Sequence, residues 1–184
     1  MKKAIIVHCW DGVPDSRWYP ETKKELEELG FSVQVPAMPD TDNPSMKTWV
    51  PTLSAAVGEP DGETFLIGHS IGCATIMRYL EGLPGSQKIG GVVFVAGFTD
   101  NLEFEELSNF FETPIDFEKV KTKANKFVAI QSDNDPYVPI KHGDILKRQL
   151  GAELIVKHNA GHFSKEDGCT SLADVAEAIQ RIAI

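Results

Sequence analysis

Six short apolar segments alternate with stretches of helical character along the chain. Most of the six are apolar at successive positions, which is typical of strands buried on both faces of a parallel sheet. Repeated strand–helix alternation predicts an α/β fold, a three-layer α/β/α sandwich around a six-stranded, mostly parallel sheet. The predicted strands are Lys3–His8, Phe31–Val35, Thr64–Gly68, Gly91–Ala96, Lys126–Gln131 and Ala152–Lys157.

Five stretches between or after these strands have helical character. They are Tyr19–Leu29, Met46–Val57, Ser70–Leu80, Ile140–Leu150 and Ser171–Ile184. The connection from Gly97 to Val120 is longer than a simple crossover and carries several large apolar residues. It predicts a short helical excursion over the sheet that forms a minimal lid. A length of 184 residues without a Ser/Gly-rich linker predicts a single domain over residues 1–184.

The charge balance limits the partners of the chain. With 18 Lys and Arg against 27 Asp and Glu, the formal net charge is −9, which argues against nucleic acid and anionic membrane surfaces. The longest near-continuous apolar stretch, Ile89 to Phe98, holds ten residues, whereas a helix that spans a bilayer needs roughly 20. Cys9, Cys73 and Cys169 are an odd number without paired spacing, which favours a reducing compartment. We therefore expect a cytoplasmic protein.

Motifs for metal ions and nucleotide cofactors do not occur in the chain. No CxxC, HExxH or other close His/Cys spacing indicates a zinc site. The loop after the first predicted strand reads His8-Cys9-Trp10-Asp11-Gly12, not the G-x-G-x-x-G of dinucleotide-binding folds. The P-loop pattern G-x-x-x-x-G-K-S/T is also missing. We expect neither a metal nor an organic cofactor.

The segment from Thr64 to Cys73 carries the clearest functional motif. An apolar strand runs directly into Gly68-His69-Ser70-Ile71-Gly72, and a helical stretch follows. A nucleophile elbow of the type G-x-S-x-G turns so sharply that its serine is strained and the residues two positions away on either side must be small. The helix that follows would place its N-terminal dipole and free N–H groups beside the serine. This context predicts that Ser70 is a nucleophile.

A serine nucleophile needs a base, and the base needs an orienting acid. On such a scaffold the chain order is serine, then Asp or Glu, then histidine, with both partners in loops after later strands. His162 follows the last predicted strand, between Gly161 and Phe163, and is predicted to be the base. Asp135 heads a D-P-Y-V-P turn that leads into a helix, which favours it as the acid. Asp133 is the alternative acid, and could instead brace the loop.

The other four histidines are assigned other roles. His69, inside the elbow, is expected to pack rather than react, and His8 is expected to fasten the loop beside the first strand. His158 ends the last predicted strand and is expected to be structural. His142 lies in a helix opening and is expected to be solvated.

An oxyanion hole is the remaining requirement of acyl-transfer chemistry. One donor should be the backbone N–H of the residue after the nucleophile, Ile71. The other should come from the loop after the first strand, where the N–H of Trp10 is the favoured candidate.

These motifs together resemble those of the α/β-hydrolase superfamily. Within it, the chain is similar to the small serine hydrolases of the retinoblastoma-binding-protein-nine type, over nearly its whole length. Ser70, Asp135 and His162 match the nucleophile, acid and base of that family, so the resemblance implies the same roles. The matching segments are His8–Trp10, Trp18–Pro20, Pro36–Pro39, Trp49–Val50, Gly68–Gly72, Ser132–Pro139 and Gly161–Phe163.

Among the matching segments, Trp18-Tyr19-Pro20 and the D-P-Y-V-P turn are the most specific to this family. The chain also departs from the family pattern in two places. Relatives commonly have His-Gly where this chain has His8-Cys9, and Gly-Gly-His where it has Ala160-Gly161-His162. The first departure places a thiol near the site, where a buried small hydrophobe is the expected role of Cys9.

The predicted reaction is hydrolysis of small esters, thioesters or activated amides through an acyl-enzyme intermediate, with a small-molecule acyl substrate as partner. One alternative is a protein-binding module that keeps the triad residues and works through a protein partner. Another is a peptidase or acyltransferase reaction on the same triad. These alternatives remain open because a fold and a triad do not fix the leaving group.

Overall fold

A six-stranded parallel sheet forms the centre of the protein, which is described here by a computed structural model of residues 1–184. The strand order is β2-β1-β3-β4-β5-β6, and every neighbouring pair is parallel. The prediction of a mostly parallel sheet is therefore confirmed. The strands are β1 (Lys3–Val7), β2 (Ser32–Gln34), β3 (Thr64–His69), β4 (Ile89–Val95), β5 (Ala124–Ser132) and β6 (Glu153–Lys157).

Six α-helices and one 3-10 helix connect and cover these strands. The helices are α1 (Tyr19–Glu28), α2 (Met46–Val57), α3 (Ile71–Gly82), α4 (Phe117–Thr122), α5 (Lys141–Leu150) and α6 (Ala173–Ile182), with the 3-10 helix at Glu105–Phe110. The predicted helices are all present, with ends that differ by a few residues. The short helix α4 is an addition to the predicted set.

Two apolar cores lie on opposite faces of the sheet, which confirms the three-layer sandwich. Helices α1 and α6 contribute to a core of 20 buried residues on one face. Helices α2, α3, α4 and α5 contribute to a core of 30 on the other. All residues of the central strands β3 and β4 are buried, because helices cover both of their faces. This burial explains why those strands are apolar at successive positions.

The strand order also determines where a crevice opens. From β1 the chain crosses to the edge strand β2 and then returns to β3 on the other side of β1. The loops that leave the carboxyl ends of β1 and β3 consequently diverge, and such a switch point is the usual ligand site of an open α/β sheet. Val7 pairs with Gly68 in the register of these two strands, so the His8 loop lies beside the elbow.

The connection from Gly97 to Val120 contains the expected helical excursion, most of which packs into the core. Leu107 and Phe110 are buried. Arg78 of α3 fastens the excursion, since its Nε donates to the Phe110 carbonyl at 2.8 Å and its Nη2 donates to the Thr113 carbonyl. Phe98, Leu102, Phe104 and Leu107 of this connection line the crevice. The predicted minimal lid is thus packed against the core and forms part of the wall of the crevice.

No helix of the protein combines the length and the apolar character that crossing a bilayer requires.

Gly72 of α3 tests how closely this helix must approach β1. A Cβ atom at Gly72 would lie 2.3 Å from the Val7 carbonyl oxygen, which is backbone and has little room to move. We expect Gly72→Ala to lower the free energy of unfolding by about 1–3 kcal/mol. Gly82, at the end of the same helix, has open space around its Cα, and Gly82→Ala should be neutral or stabilising by about 0.5–1 kcal/mol. Urea unfolding of both variants measures the difference, and equal stabilities would contradict the close approach.

Candidate active site

Ser70 lies alone between strand β3 and helix α3. Its backbone has φ 55° and ψ −119°, a region that side-chain-bearing residues rarely adopt. Gly68 permits the turn because a Cβ there would lie 2.7 Å from the Cys73 nitrogen. Gly72 permits the approach of α3 to β1 described above. The structure therefore has the geometry of a nucleophile elbow at the predicted position.

The structure brings Ser70, His162 and Asp135 together in a line of hydrogen bonds. His162 Nε2 lies 3.0 Å from Ser70 Oγ, and His162 Nδ1 lies 2.8 Å from Asp135 Oδ2. A carboxylate only accepts, so Nδ1 carries the proton and the Nε2 lone pair faces the serine hydroxyl. The Asp135 side chain is fully buried and that of His162 is 13% exposed. This arrangement can accept the hydroxyl proton while an oxygen attacks a carbonyl.

The D-P-Y-V-P turn fixes the Asp135 carboxylate. Its Oδ1 accepts from the backbone N–H groups of Tyr137 at 2.9 Å and Val138 at 3.0 Å. Its Oδ2 is left for His162. Rotation of the carboxylate would break both backbone bonds, so the oxygen that faces the imidazole is held in place.

Asp133, the alternative acid, points away from His162. Its oxygens accept from the Asn159 N–H at 2.9 Å and contact Nδ1 of the exposed His158 at 2.5 Å. The Asn159 backbone bond, with a further contribution from His158, holds the pKa of Asp133 below its ordinary value. Asp133 thus braces the loop after β5 against the loop after β6. This bracing also gives His158 its structural contact.

Asp167 lines the cavity and contacts the loop of His162, which the sequence interpretation missed. Its Oδ2 accepts from the His162 N–H at 2.9 Å and from the Ser164 N–H and Oγ at 3.1 and 2.7 Å. Burial acts to raise the pKa of Asp167, but the hydrogen bonds from Ser164 and His162 hold it below its ordinary value. Gly161 makes room for this carboxylate, because a Cβ there would lie within 2.1 Å of Asp167 Oδ1 and its φ is +54°. The glycine directly before His162 was the sequence signal that another group packs closely against this loop.

The loop after β1 leaves the backbone N–H of Trp10 without an acceptor, and Trp10 lines the crevice. Asp11 N–H donates to the Thr41 carbonyl and Gly12 N–H to the Cys9 carbonyl, whereas the Trp10 N–H has no acceptor within the protein. The Trp10 indole is fixed by a 3.0 Å bond to the Asp42 carbonyl. Ile71, as the first residue of α3, has no acceptor in a preceding helical turn. Both predicted oxyanion donors therefore belong to residues that line the crevice with Ser70.

The first departure from the family pattern fits this loop without strain. Cys9 does not have a positive φ; the residue of the loop that does is Asp11, at 51°. The Cys9 side chain is buried, and burial raises the pKa of its thiol. A neutral, buried thiol matches the role of a small hydrophobe expected for it.

The crevice holds a cavity of about 440 Å³ in contact with Ser70 and His162. This volume is within the range of small-molecule sites. The cavity lining includes both apolar and polar side chains. The apolar ones include Phe98, Leu102, Phe104, Leu107 and Val138, and the polar ones include Asp11, Arg17, Ser164, Glu166 and Asp167. Neither in the cavity nor elsewhere in the protein do three His, Cys, Asp or Glu side chains come together where they could hold a metal ion.

The structure corrects one expectation about the remaining histidines and agrees with two. His142 is fully buried, with Nδ1 3.0 Å from Thr99 Oγ1, so the expectation that it is solvated is wrong. His8 fastens a loop as expected, since its Nε2 accepts from the Met38 N–H at 3.0 Å. His69 is fully buried and packs beside the elbow.

Comparisons with known proteins identify the family. The family model described as serine hydrolase matches residues 4–181. The chain belongs to the serine hydrolase family. YdeN of Bacillus subtilis is 31% identical over 179 residues, with 97% of this chain and 94% of YdeN covered. The serine hydrolase RBBP9 of Rattus norvegicus is 30% identical, with 90% of this chain and 89% of that protein covered.

Two solved structures have the same fold. The crystal structure of the B. subtilis ydeN product superposes with a TM-score of 0.94 at 30% identity, covering 99% of this chain and 98% of that one. Est1E from Butyrivibrio proteoclasticus superposes with a TM-score of 0.72 at 14% identity, covering 98% and 86% of the two chains. The predicted α/β-hydrolase fold and serine hydrolase family are thus confirmed, and this chain is a hydrolase.

His8 and His69 are buried beside the site, and from their burial we expect the free energy of unfolding to fall in mild acid. Burial holds the pKa of His69 well below, and that of His8 below, the ordinary value, whereas the unfolded chain binds these protons near pH 6.5. The stabilisation is complete above that pH and is lost as the pH falls toward the folded values. Each histidine contributes up to about 1.4 kcal/mol per pH unit.

Urea unfolding between pH 7.5 and 5.5 measures this loss. His8→Gln should have a shallower slope of stability against pH than the wild type, whatever its stability at pH 7.5. A wild-type stability that does not change over this range would contradict the assignment of both imidazoles as neutral.

Proposed function

We propose that this hydrolase cleaves small carboxylic esters, thioesters or activated amides through an acyl-enzyme formed on Ser70. The observation that carries the proposal is the line of hydrogen bonds from Asp135 through His162 to Ser70. Its support lies in the strained backbone at Ser70 and in the unpaired Trp10 N–H beside the cavity. No metal or organic cofactor takes part in the proposed reaction.

Acylation begins when His162 Nε2 takes the Ser70 hydroxyl proton as Oγ attacks the substrate carbonyl carbon. The carbonyl oxygen becomes an oxyanion, which the N–H groups of Trp10 and Ile71 stabilise. Asp135 stabilises the imidazolium that forms and holds its Nδ1 proton. The imidazolium then gives its Nε2 proton to the leaving alcohol, thiol or amine, and the carbonyl re-forms as the ester of Ser70.

Deacylation repeats these steps with water as the nucleophile. His162 Nε2 takes a proton from the water as its oxygen attacks the acyl carbon, and the same two N–H groups stabilise the second oxyanion. The proton then returns to Ser70 Oγ as the acid product leaves. An acceptor other than water would give acyl transfer, and product analysis distinguishes the two.

The cavity favours small substrates over long lipids. Its volume of about 440 Å³ is limited by Phe104, whose ring lies 6.2 Å from that of Trp10 in an edge-on arrangement. Leu107, which also lines the cavity, is buried in the core. A short acyl or alcohol group fits against this apolar wall, and a longer chain has to leave through the open mouth.

A protein-binding role has less support from the structure. Three phenylalanines of the Gly97–Val120 connection could form a docking surface, but two of them pack within the protein and only Phe104 is exposed, at 39%. Phe110 is fully buried, Phe111 packs on Phe98, and Phe104 lines the cavity.

The triad assignment predicts a strong difference between two neighbouring aspartates. Ser70→Ala should abolish both p-nitrophenyl acetate turnover and labelling by a fluorophosphonate probe. Asp135→Asn should lower kcat by about 10³–10⁴-fold, because the imidazole loses its orienting acceptor. Asp133→Asn, which removes a charge two residues away, should stay within about tenfold of the wild type, the scale of one lost bracing bond.

Steady-state kinetics and mass spectrometry of the labelled peptide measure these effects. A wild-type protein that is not labelled at Ser70 would overturn the proposed function. A larger loss in Asp133→Asn than in Asp135→Asn would overturn the choice of acid.

The cavity wall predicts the acyl-chain preference. Wild-type kcat/KM should be higher for p-nitrophenyl acetate and butyrate than for the octanoate. Phe104→Ala should raise the octanoate-to-acetate ratio by about tenfold, a usual effect of a few methylene contacts in a pocket. Leu29 is an apolar residue of similar exposure, 44% against 39% for Phe104, and lies outside the cavity. Leu29→Ala is therefore the matched control and should leave the ratio unchanged. An octanoate preference in the wild type would contradict the assignment of Phe104 as the limiting wall.

A further inference from the structure

The motif Trp18-Tyr19-Pro20 has no place in the reaction described so far. Tyr19 opens helix α1 and is fully buried. Its hydroxyl oxygen lies 2.7 Å from His69 Nδ1 and 3.2 Å from the Cys9 backbone nitrogen. The motif therefore contacts the elbow through His69 and the oxyanion loop through Cys9.

His69 continues this contact to the proposed base. Its Nε2 lies 2.9 Å from the backbone carbonyl oxygen of His162. A carbonyl only accepts, so His69 carries its proton on Nε2. Burial holds the pKa of His69 well below its ordinary value, so the ring is neutral and its Nδ1 accepts from the Tyr19 hydroxyl. The Tyr19 oxygen then accepts from the Cys9 N–H, and one arrangement of protons satisfies the whole chain of hydrogen bonds.

We propose that Tyr19 and His69 are positioning residues, whose hydrogen-bond chain holds the oxyanion loop and the loop of the base at a fixed separation across Ser70. This inference rests on the proposed function, because it assigns those two loops their roles. Neither Tyr19 nor His69 is among the residues that line the cavity, so both act through others.

The chain ends at the two backbone positions whose placement matters most. The Cys9 N–H lies one residue before the Trp10 N–H, so a shift of Cys9 re-aims that oxyanion donor. The His162 carbonyl is held by His69 while the His162 N–H is held by Asp167, which fixes the main chain of the base on both sides. A misplacement of about 1 Å in such groups is enough to slow a reaction strongly.

The surroundings prevent water from replacing these bonds. Trp18, Tyr19 and His69 are all fully buried. The Trp18 ring lies 4.7 Å from that of Tyr19 and 5.5 Å from that of His69. Removing the Tyr19 hydroxyl would leave the Cys9 N–H and His69 Nδ1 without partners, and the loops would have to move to satisfy them.

A neutral histidine also suits the place that His69 occupies. Its ring lies 5.3 Å from the ring of His162, which becomes positively charged in the proposed transition state. A neutral imidazole offers one donor and one acceptor without adding a second positive charge there. A lysine or arginine has no acceptor for the Tyr19 hydroxyl, and it would add a positive charge beside His162.

Tyr19→Phe tests the chain, with Tyr79→Phe as the matched control. Tyr79 is also buried, but its hydroxyl makes no hydrogen bond in the protein and it packs in the core on the other face of the sheet. We expect Tyr19→Phe to lower kcat for p-nitrophenyl acetate by about tenfold with KM within about twofold. The affinity for butylboronic acid, which forms a tetrahedral adduct with an active-site serine, should fall by a similar factor. Tyr79→Phe should change neither quantity.

His69→Leu provides a second test should Tyr19→Phe fail to fold. Leucine can neither donate to the His162 carbonyl nor accept from the Tyr19 hydroxyl, so the same loss in kcat with an unchanged KM is expected. If both folded variants act through one chain, the double variant should be no slower than the slower single variant. Ring ¹⁵N chemical shifts of His69 should show the neutral Nε2–H form in the wild type at pH 7.

Each outcome decides one of the two proposals. A wild type that is not labelled at Ser70 overturns the proposed function. A labelled wild type in which Tyr19→Phe matches Tyr79→Phe in kcat and boronic acid affinity overturns only the positioning role. So does a rise in KM at constant kcat, or a His69 ring with its proton on Nδ1.

Discussion

The close approach of helix α3 to strand β1 is the constraint on which the rest of the site depends. At Gly72 there is room for only a hydrogen atom next to the Val7 carbonyl. The approach requires Ser70 to turn the chain from β3 into α3 within one residue, in a left-handed conformation. The surrounding core holds this strained turn, because every residue from Ile71 to Leu80 is buried. Ser70 is thereby fixed at the carboxyl edge of the sheet, where the loops after β1, β5 and β6 can reach it.

Burial explains which parts of the fold could be predicted from the sequence. Strands β3 and β4 lie at the centre of the sheet, so their apolar runs are continuous and indicate strands directly. Helix α4 buries only Val120, and so short a segment with one buried residue has no readable helical period. In the connection from Gly97 to Val120, apolar residues indicated burial. They could not distinguish a cover over a cavity from a filling of the core, which is what Leu107 and Phe110 provide.

Distance along the chain explains which parts of the site could be predicted. Ser70, Asp135 and His162 each follow a strand end in a recognisable order, so their meeting at one edge was predictable. The pair Tyr19 and His69 is separated by 50 positions, and no local pattern predicts that contact. His142 was misjudged for the same reason, because the Thr99 loop that encloses it comes from a distant segment.

Backbone donors, rather than the carboxylates themselves, distinguish the three aspartates around the proposed base. Asp133 accepts a hydrogen bond from the Asn159 N–H, and Asp167 accepts one from the His162 N–H. Both carboxylates therefore brace loops. In the D-P-Y-V-P turn both prolines lack an N–H, and the two N–H groups between them converge on one oxygen of Asp135. The other oxygen can then meet only the imidazole. The order of prolines in that turn therefore favours Asp135 as the proposed acid, since Asp133, two residues earlier in the same loop, has no equivalent pair of backbone donors.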